Sequence, residues 1–193
     1  MKFFKRLLIG LIFIIIGIFL IGKNIFDTKE YYENMNNLVE YSSEEELGEI
    51  VNIDIEDFAG NVKIEKGTKN SIFIKRTGEI INYSYTSGKI KVQSKKYSVF
   101  KNEKSYIKIT YKDNERLDID VENFAGLMKF EAAESGLINL ENIAGKIDIK
   151  VKNNVKIESS NIVGKIFVDA PTSTSSILNV KMENIVGKIE IRK

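Results

Sequence analysis

The chain has 193 residues, 43% of them apolar, one proline and a formal net charge of +2. That is room for one anchored domain of ordinary size, and it excludes a disordered, mucin-like or collagenous chain. There is no Cys and no His, which excludes disulfide staples, thiolate nucleophiles, imidazole acid–base catalysis and the usual zinc sites.

Residues 7–22, LLIGLIFIIIGIFLIG, form a run without charge, with Lys2, Lys5 and Arg6 at its entrance. Spanning a bilayer takes roughly twenty apolar residues. The run reaches that length if Ile25 and Phe26 contribute and Lys23 snorkels. Basic residues ahead of it predict a cytoplasmic N-terminus, with the rest of the chain outside the cell. A cleaved signal peptide is the competing reading, but FLIGKNIF lacks the small-residue cleavage pattern. We therefore expect residues 1–26 to be an N-terminal transmembrane helix acting as an uncleaved signal anchor in the cell membrane. The first 26 residues hold four basic groups and no acidic ones, leaving 25 basic against 27 acidic, a net −2, for the remainder. No nucleic-acid footprint is present in that balance.

Residues 27–49 are polar and acidic and read as a stalk with some helical character. From Ile50 the pattern alternates β-branched and charged residues, the period-2 signature of strands. Within residues 50–193 one phrase recurs five times: IDIEDFAGNVKI, IDVENFAGLMKF, INLENIAGKIDI, IESSNIVGKIFV and VKMENIVGKIEI. In the third copy Ile138 and Leu140 are inward, then Ile143, Ile147 and Ile149. Side chains alternate along a strand, so this change of parity requires a turn at Glu141–Asn142 and again near Gly145. Glycine there takes φ > 0 and allows close backbone approach. Glycine spacings of 19, 19 and 23 from Gly126 to Gly187 are those of a stacked repeat. The expected fold is all-β, a single-stranded parallel β-helix (β-solenoid) whose interior holds Ile, Val, Leu and Phe, with copies stacked one after another. Between Gly60 and Gly126 the period breaks. There Gly88, with Ile90 and Val92, reads as a degenerate corner, and KYSVFKNEKS as a loop or protruding hairpin.

The corner row Asp57, Asn123, Asn142, Asn161 and Asn184 is expected to form an amide ladder. Glu56, Glu122, Glu141 and Glu183, with Asp118 and Asp120, make an outward acidic strip. Its carboxylates suit Ca²⁺ by ligand type, yet neither the calcium nonapeptide nor an EF-hand loop is present, so a solvated face is the better account. Paired carboxylates also cleave glycosidic bonds, but these belong to the repeat and have no aromatic groove around them. Lys146, Lys165 and Lys188 follow the corner glycines and would stack into a basic column able to attract anionic polymer or lipid headgroups. No P-loop, serine triad or dinucleotide fingerprint occurs, so no cofactor is expected.

The phrase E-N-[FI]-[AV]-G-x-[IVM]-x-[IF] behind an N-terminal membrane segment resembles the DUF4097 family of adhesin-like proteins, the toastrack-type β-solenoid domains that include LiaG-like proteins of envelope stress systems. The resemblance covers residues 50–193. It implies an extracytoplasmic β-helical domain without an enzyme site. The expected function is therefore non-enzymatic binding of an envelope polymer or membrane-protein partner, with Lys146, Lys165, Lys188, Glu122 and Glu141 as ligand-facing candidates. A carbohydrate-active β-helix enzyme is the alternative. Self-association through the solenoid ends is a third expectation, placed on the last copy because little capping sequence follows IEIRK.

Overall fold

The computed structural model describes residues 40–77, 81–94, 105–112 and 116–193. The expected anchor and the first part of the stalk lie outside the described residues, and among the described ones no helix is long and apolar enough to cross a membrane. In chain order the strands are β1 (Glu40–Glu46), β2 (Asn52–Gly67), β3 (Ser71–Thr77), β4 (Ile81–Thr86), β5 (Lys89–Ser94), β6 (Tyr106–Lys112), β7 (Asp118–Glu131), β8 (Gly136–Lys150), β9 (Lys156–Asp169) and β10 (Leu178–Arg192). The described fold is all-β.

The five repeats are the five long strands β2, β7, β8, β9 and β10. Each is bent into two legs at its corner. Asp57, Asn123, Asn142, Asn161 and Asn184 have φ between 51° and 55°, the left-handed conformation that Asn and Asp tolerate best among residues with a Cβ. One residue so placed reverses the side-chain alternation, which is the physical content of the parity change. The next residue in each copy, Phe58, Phe124, Ile143, Ile162 or Ile185, turns inward again. Neighbouring long strands pair in parallel and in register, corner against corner. Identical inward positions therefore stack: Phe58 lies on Phe124 with ring centroids 6.2 Å apart, and the inward rows of β2, β7, β8 and β10 are buried. Burying each such side chain stabilises by roughly 1.5–3 kcal/mol.

The order of the stack departs from the order of the sequence. It runs β2–β7–β8–β10–β9, so the fifth copy sits between the third and the fourth. Hydrophobicity accounts for this. The inward row of β10 is Val180, Met182, Ile185, Ile189 and Ile191, all buried. The corresponding row of β9 is Ile157, Ser159, Ile162, Ile166 and Val168, where a serine matches Met182. The row carrying a hydroxyl costs least at the end of the stack, where one side stays wet.

The irregular stretch resolves into an interrupted copy. β5 pairs with residues 52–56 of β2 and β6 with residues 61–67, so together they supply the two legs of one more rung. Residues 95–104, which contain most of the expected loop, lie between them and outside the described residues. Ile90 and Val92 face the core, but Gly88 is not a corner. Ser87 and Gly88, at φ 50° and 82°, form the two-residue turn of the β4–β5 hairpin, and two positive φ values are what a type I′ turn needs. Antiparallel strands finish this end: β4 on β5, β3 on β6, and β1 on β3. Residues 40–46, expected in a partly helical stalk, are thus the strand β1.

Candidate functional site

With the interior filled, the chemistry lies on the outer faces of the two legs. Glu56, Glu122, Glu141 and Glu183 occupy one register position on adjacent rungs of the first legs. Strand spacing in a sheet places such rungs about 4.8 Å apart. At one end the charge is answered: Lys91 donates to Glu56 at 2.7 Å, and Lys89 lies 3.0 Å from Asp54. Glu122 and Glu141 project in parallel from a single face. Glycoside hydrolysis needs two carboxyls on either side of the bond, so this disposition does not suit it. Among the described residues no group of three or more acidic side chains could hold a metal ion.

Lys146, Lys188 and Lys165 occupy one register position on the second legs, in that spatial order. The structure thus brings the three lysines together, brings Glu122 and Glu141 together, and keeps the two sets on opposite sides of the corner. Glu190 sits between two of the lysines, 2.9 Å from Lys146 and bonded to Lys188 at 2.6 Å. Hydrogen bonds from Lys146 and then Lys188 hold its carboxyl down at about 2. Lys188 also lies 4.9 Å over the Phe167 ring, a cation–π contact. Lys165, on the outermost rung, makes no ion pair among the described residues.

Further along the same face, Arg192 grips Asp148 through two hydrogen bonds of 2.8 and 2.9 Å. Lys108 and Lys63 both bond Glu65, with Lys108 at 2.7 Å, and lower the Glu65 carboxyl. Glu190, Asp148, Arg192 and Phe167 were not singled out from the sequence. The signal was present, since stacking the copies in register puts Arg192 diagonally across from Asp148, within reach of a long side chain.

Between the legs the corner residues form the expected ladder, with a direction. Asn161 donates its amide to Asn184 (3.1 Å), Asn184 to Asn142 (3.0 Å), Asn142 to Asn123 (3.1 Å) and Asn123 to Asp57 (3.0 Å). From the other side Gln93 of β5 donates to the second Asp57 oxygen at 3.2 Å. The whole row is explained as structure.

No family model matches the chain, and no curated protein matches it. Similar solved structures include a protein of Clostridium sporogenes ATCC 15579 described provisionally as a cell adhesion protein, 14% identical, covering 80% of this chain and 99% of its own, with a TM-score of 0.45. Two others are described provisionally as adhesins. That of Bacteroides fragilis NCTC 9343 is 12% identical over 79% of this chain and 97% of its own, at a TM-score of 0.33. That of Parabacteroides distasonis ATCC 8503 is 10% identical over 79% and 97%, at a TM-score of 0.32.

Proposed function

We propose that the protein is a non-enzymatic binding protein of the cell envelope, anchored in the membrane through residues 1–26 with its N-terminus cytoplasmic. Its stack, read as a solenoid of the adhesin-like DUF4097 type, takes an anionic envelope polymer along the second legs. The five copies of the repeated phrase, three of them written E-N-x-x-G, support the family reading, and the charge-free run behind Lys2, Lys5 and Arg6 supports the anchor. The binding reading is carried by repetition. Lys146, Lys188 and Lys165 present the same cation on three successive rungs, about 4.8 Å apart. A row of this kind matches an extended polyanion, whose charges also recur along a line, better than it matches a compact substrate.

The test is a titration of the full-length chain in detergent micelles with a linear polyol phosphate of the wall type. Binding is expected to weaken as salt rises. It is expected to fall about tenfold when Lys146, Lys165 and Lys188 are together changed to Gln. Equal binding by the triple variant would refute the assignment.

A further inference from the structure

We infer that the protein self-associates through β9, whose free edge pairs antiparallel with the same edge of a second copy about a two-fold axis at the corner. Among the described residues β9 ends the sheet and pairs with β10 alone. The connection from β9 back to β10 reaches only as far as Val155, through Pro171, Thr172 and Ser173, so residues 156–169 keep an open row of backbone donors and acceptors. Such an edge is a template for another strand unless it is blunted. The opposite end is blunted: its outermost strand β1 carries Glu44, Glu45 and Glu46. β9 has no proline and no acidic run.

Exposed apolar surface marks the same end. Six described large hydrophobics are exposed, and five of them, Val163 (68%), Ile177 (67%), Val186 (56%), Phe167 (48%) and Val168, lie on β9, on β10 or between them. Ile157, Ile162 and Ile166 are only partly buried, because no further rung covers them. A cluster of this kind at one end of a soluble domain marks an interaction site.

The occupant follows from self-complementarity. A two-fold interface requires that residue i meets residue j and that j meets i. With the corner taken as Asn161 to Gly164, the two positions of positive φ, the flanking legs of β9, residues 156–160 and 165–169, are of equal length. An axis between Ile162 and Val163 therefore lays each first leg on the other copy's second leg. Lys156 then faces Asp169 of the second copy, Ile157 faces its Val168, Ser159 its Ile166, and Ser160 its Lys165. On both legs inward positions meet inward positions, so both interiors become one. Lys156 meets an opposite charge, and Glu158 lies diagonal to Lys165, the arrangement that stabilises neighbouring strands. The acidic end formed by β1 offers neither this charge pattern nor a matching corner.

The chain contains no cysteine, so one introduced thiol reports only on a second copy. In the full-length chain in detergent micelles, Val163→Cys is expected to give a crosslinked dimer under mild oxidation, whereas Val51→Cys, exposed but away from β9, is not. Sedimentation should show a dimer whose dissociation constant rises about tenfold in Phe167→Glu, which sets a second carboxylate against Glu158, and in Lys156→Asp. Adding Asp169→Lys to the latter should restore it, and because Asp169 is exposed and Lys156 half-buried in a surface ion pair the melting temperature should move little. A monomer at all concentrations would overturn the proposal. So would equal crosslinking at the two cysteines, or a dimer indifferent to the charge reversal.

Discussion

Replacing Gly145 by Ala adds one carbon, at a point where the backbones of adjacent rungs touch. The new Cβ falls 2.0 Å from the carbonyl oxygen of Gly126 and 2.9 Å from its carbon, well inside the 3.5–4.0 Å or so of ordinary contact. The residue also holds φ at +148°, a region nearly closed to side chains with a Cβ. Either the rungs separate by more than an ångström or the corner rotates and breaks register with β10 on its other side. Backbone strain of this kind costs ~1–3 kcal/mol and forced overpacking another ~1–3 kcal/mol. The sum, about 2–6 kcal/mol, is a large share of the ~5–15 kcal/mol that holds a typical domain together. At ~2–4 °C per kcal/mol for a domain of this size, the thermal midpoint followed by circular dichroism should fall by ~5–20 °C. Lys146→Ala next door loses one 2.9 Å ion pair while Glu190 keeps Lys188, so its cost should stay within ~0.5 kcal/mol. Equal melting temperatures for the two variants would refute the close-approach assignment of the glycine column.

Asn142→Ala removes bonds to Asn123 and from Asn184 and leaves φ 55° on a residue that disfavours it, for a loss of about 2–3 kcal/mol. Asn142→Gly restores the backbone freedom and should recover about 1 kcal/mol of it; denaturant melts in which Gly is no better than Ala would refute the positive-φ account. Asp57→Asn offers one acceptor where two donors converge, from Asn123 and Gln93, and should cost about 1–3 kcal/mol. An unchanged unfolding midpoint would contradict the ladder's direction. Glu190 has a folded value of about 2, below the 4.5 of a free carboxyl, so its contribution is present above pH 4.5 and lost as pH falls toward 2. Acid titration of stability should show a shallower fall across that window in Glu190→Gln, and parallel curves would remove the bridge between Lys146 and Lys188.

The rungs were legible because each letter of the phrase answers a local demand. Asn supplies the left-handed corner, Gly the close approach, and the shifted apolar pairs Ile138/Leu140 and Ile147/Ile149 the two inward legs. Rung order was not legible from spacing, since any copy fits beside any other in register; Ser159 was the discriminating residue, and its polarity on an inward row had to be weighed against Met182. Gly88 misled because a hairpin turn and a corner both call for positive φ, and only the adjoining Ser87 distinguishes a two-residue turn. Residues 40–46 were misassigned because EYSSEEE has the composition of a solvated segment, and a protective edge strand has that composition too. On the outer faces the columns were foreseen, but not the bonds between columns, because Glu190 and Arg192 act across rungs rather than along their own strand.

The one departure in the corner row, Asp57 among four asparagines, follows from the chemistry of the ladder. An asparagine accepts from one neighbour and donates to the next, so a row of them passes hydrogen bonds in one direction for as long as rungs repeat. A carboxylate only accepts. Placed in the middle it would leave the following amide without a donor; placed where two donors converge it satisfies both. β2 is that position, because the interrupted copy on its far side supplies Gln93 instead of another asparagine, and Gln93 points its amide back toward Asp57. The row therefore has a coded end at β2 and none at β9, where Asn161 gives its amide to Asn184 and leaves its own oxygen outermost. The same asymmetry recurs in the strands, since β2 is built over by β5, β6, β3 and β1 while β9 carries no further strand among the described residues. Capping at one end and exposure at the other are thus two readings of one gradient along the stack, and the proposed pairing at β9 rests on that gradient without reference to the lysine column.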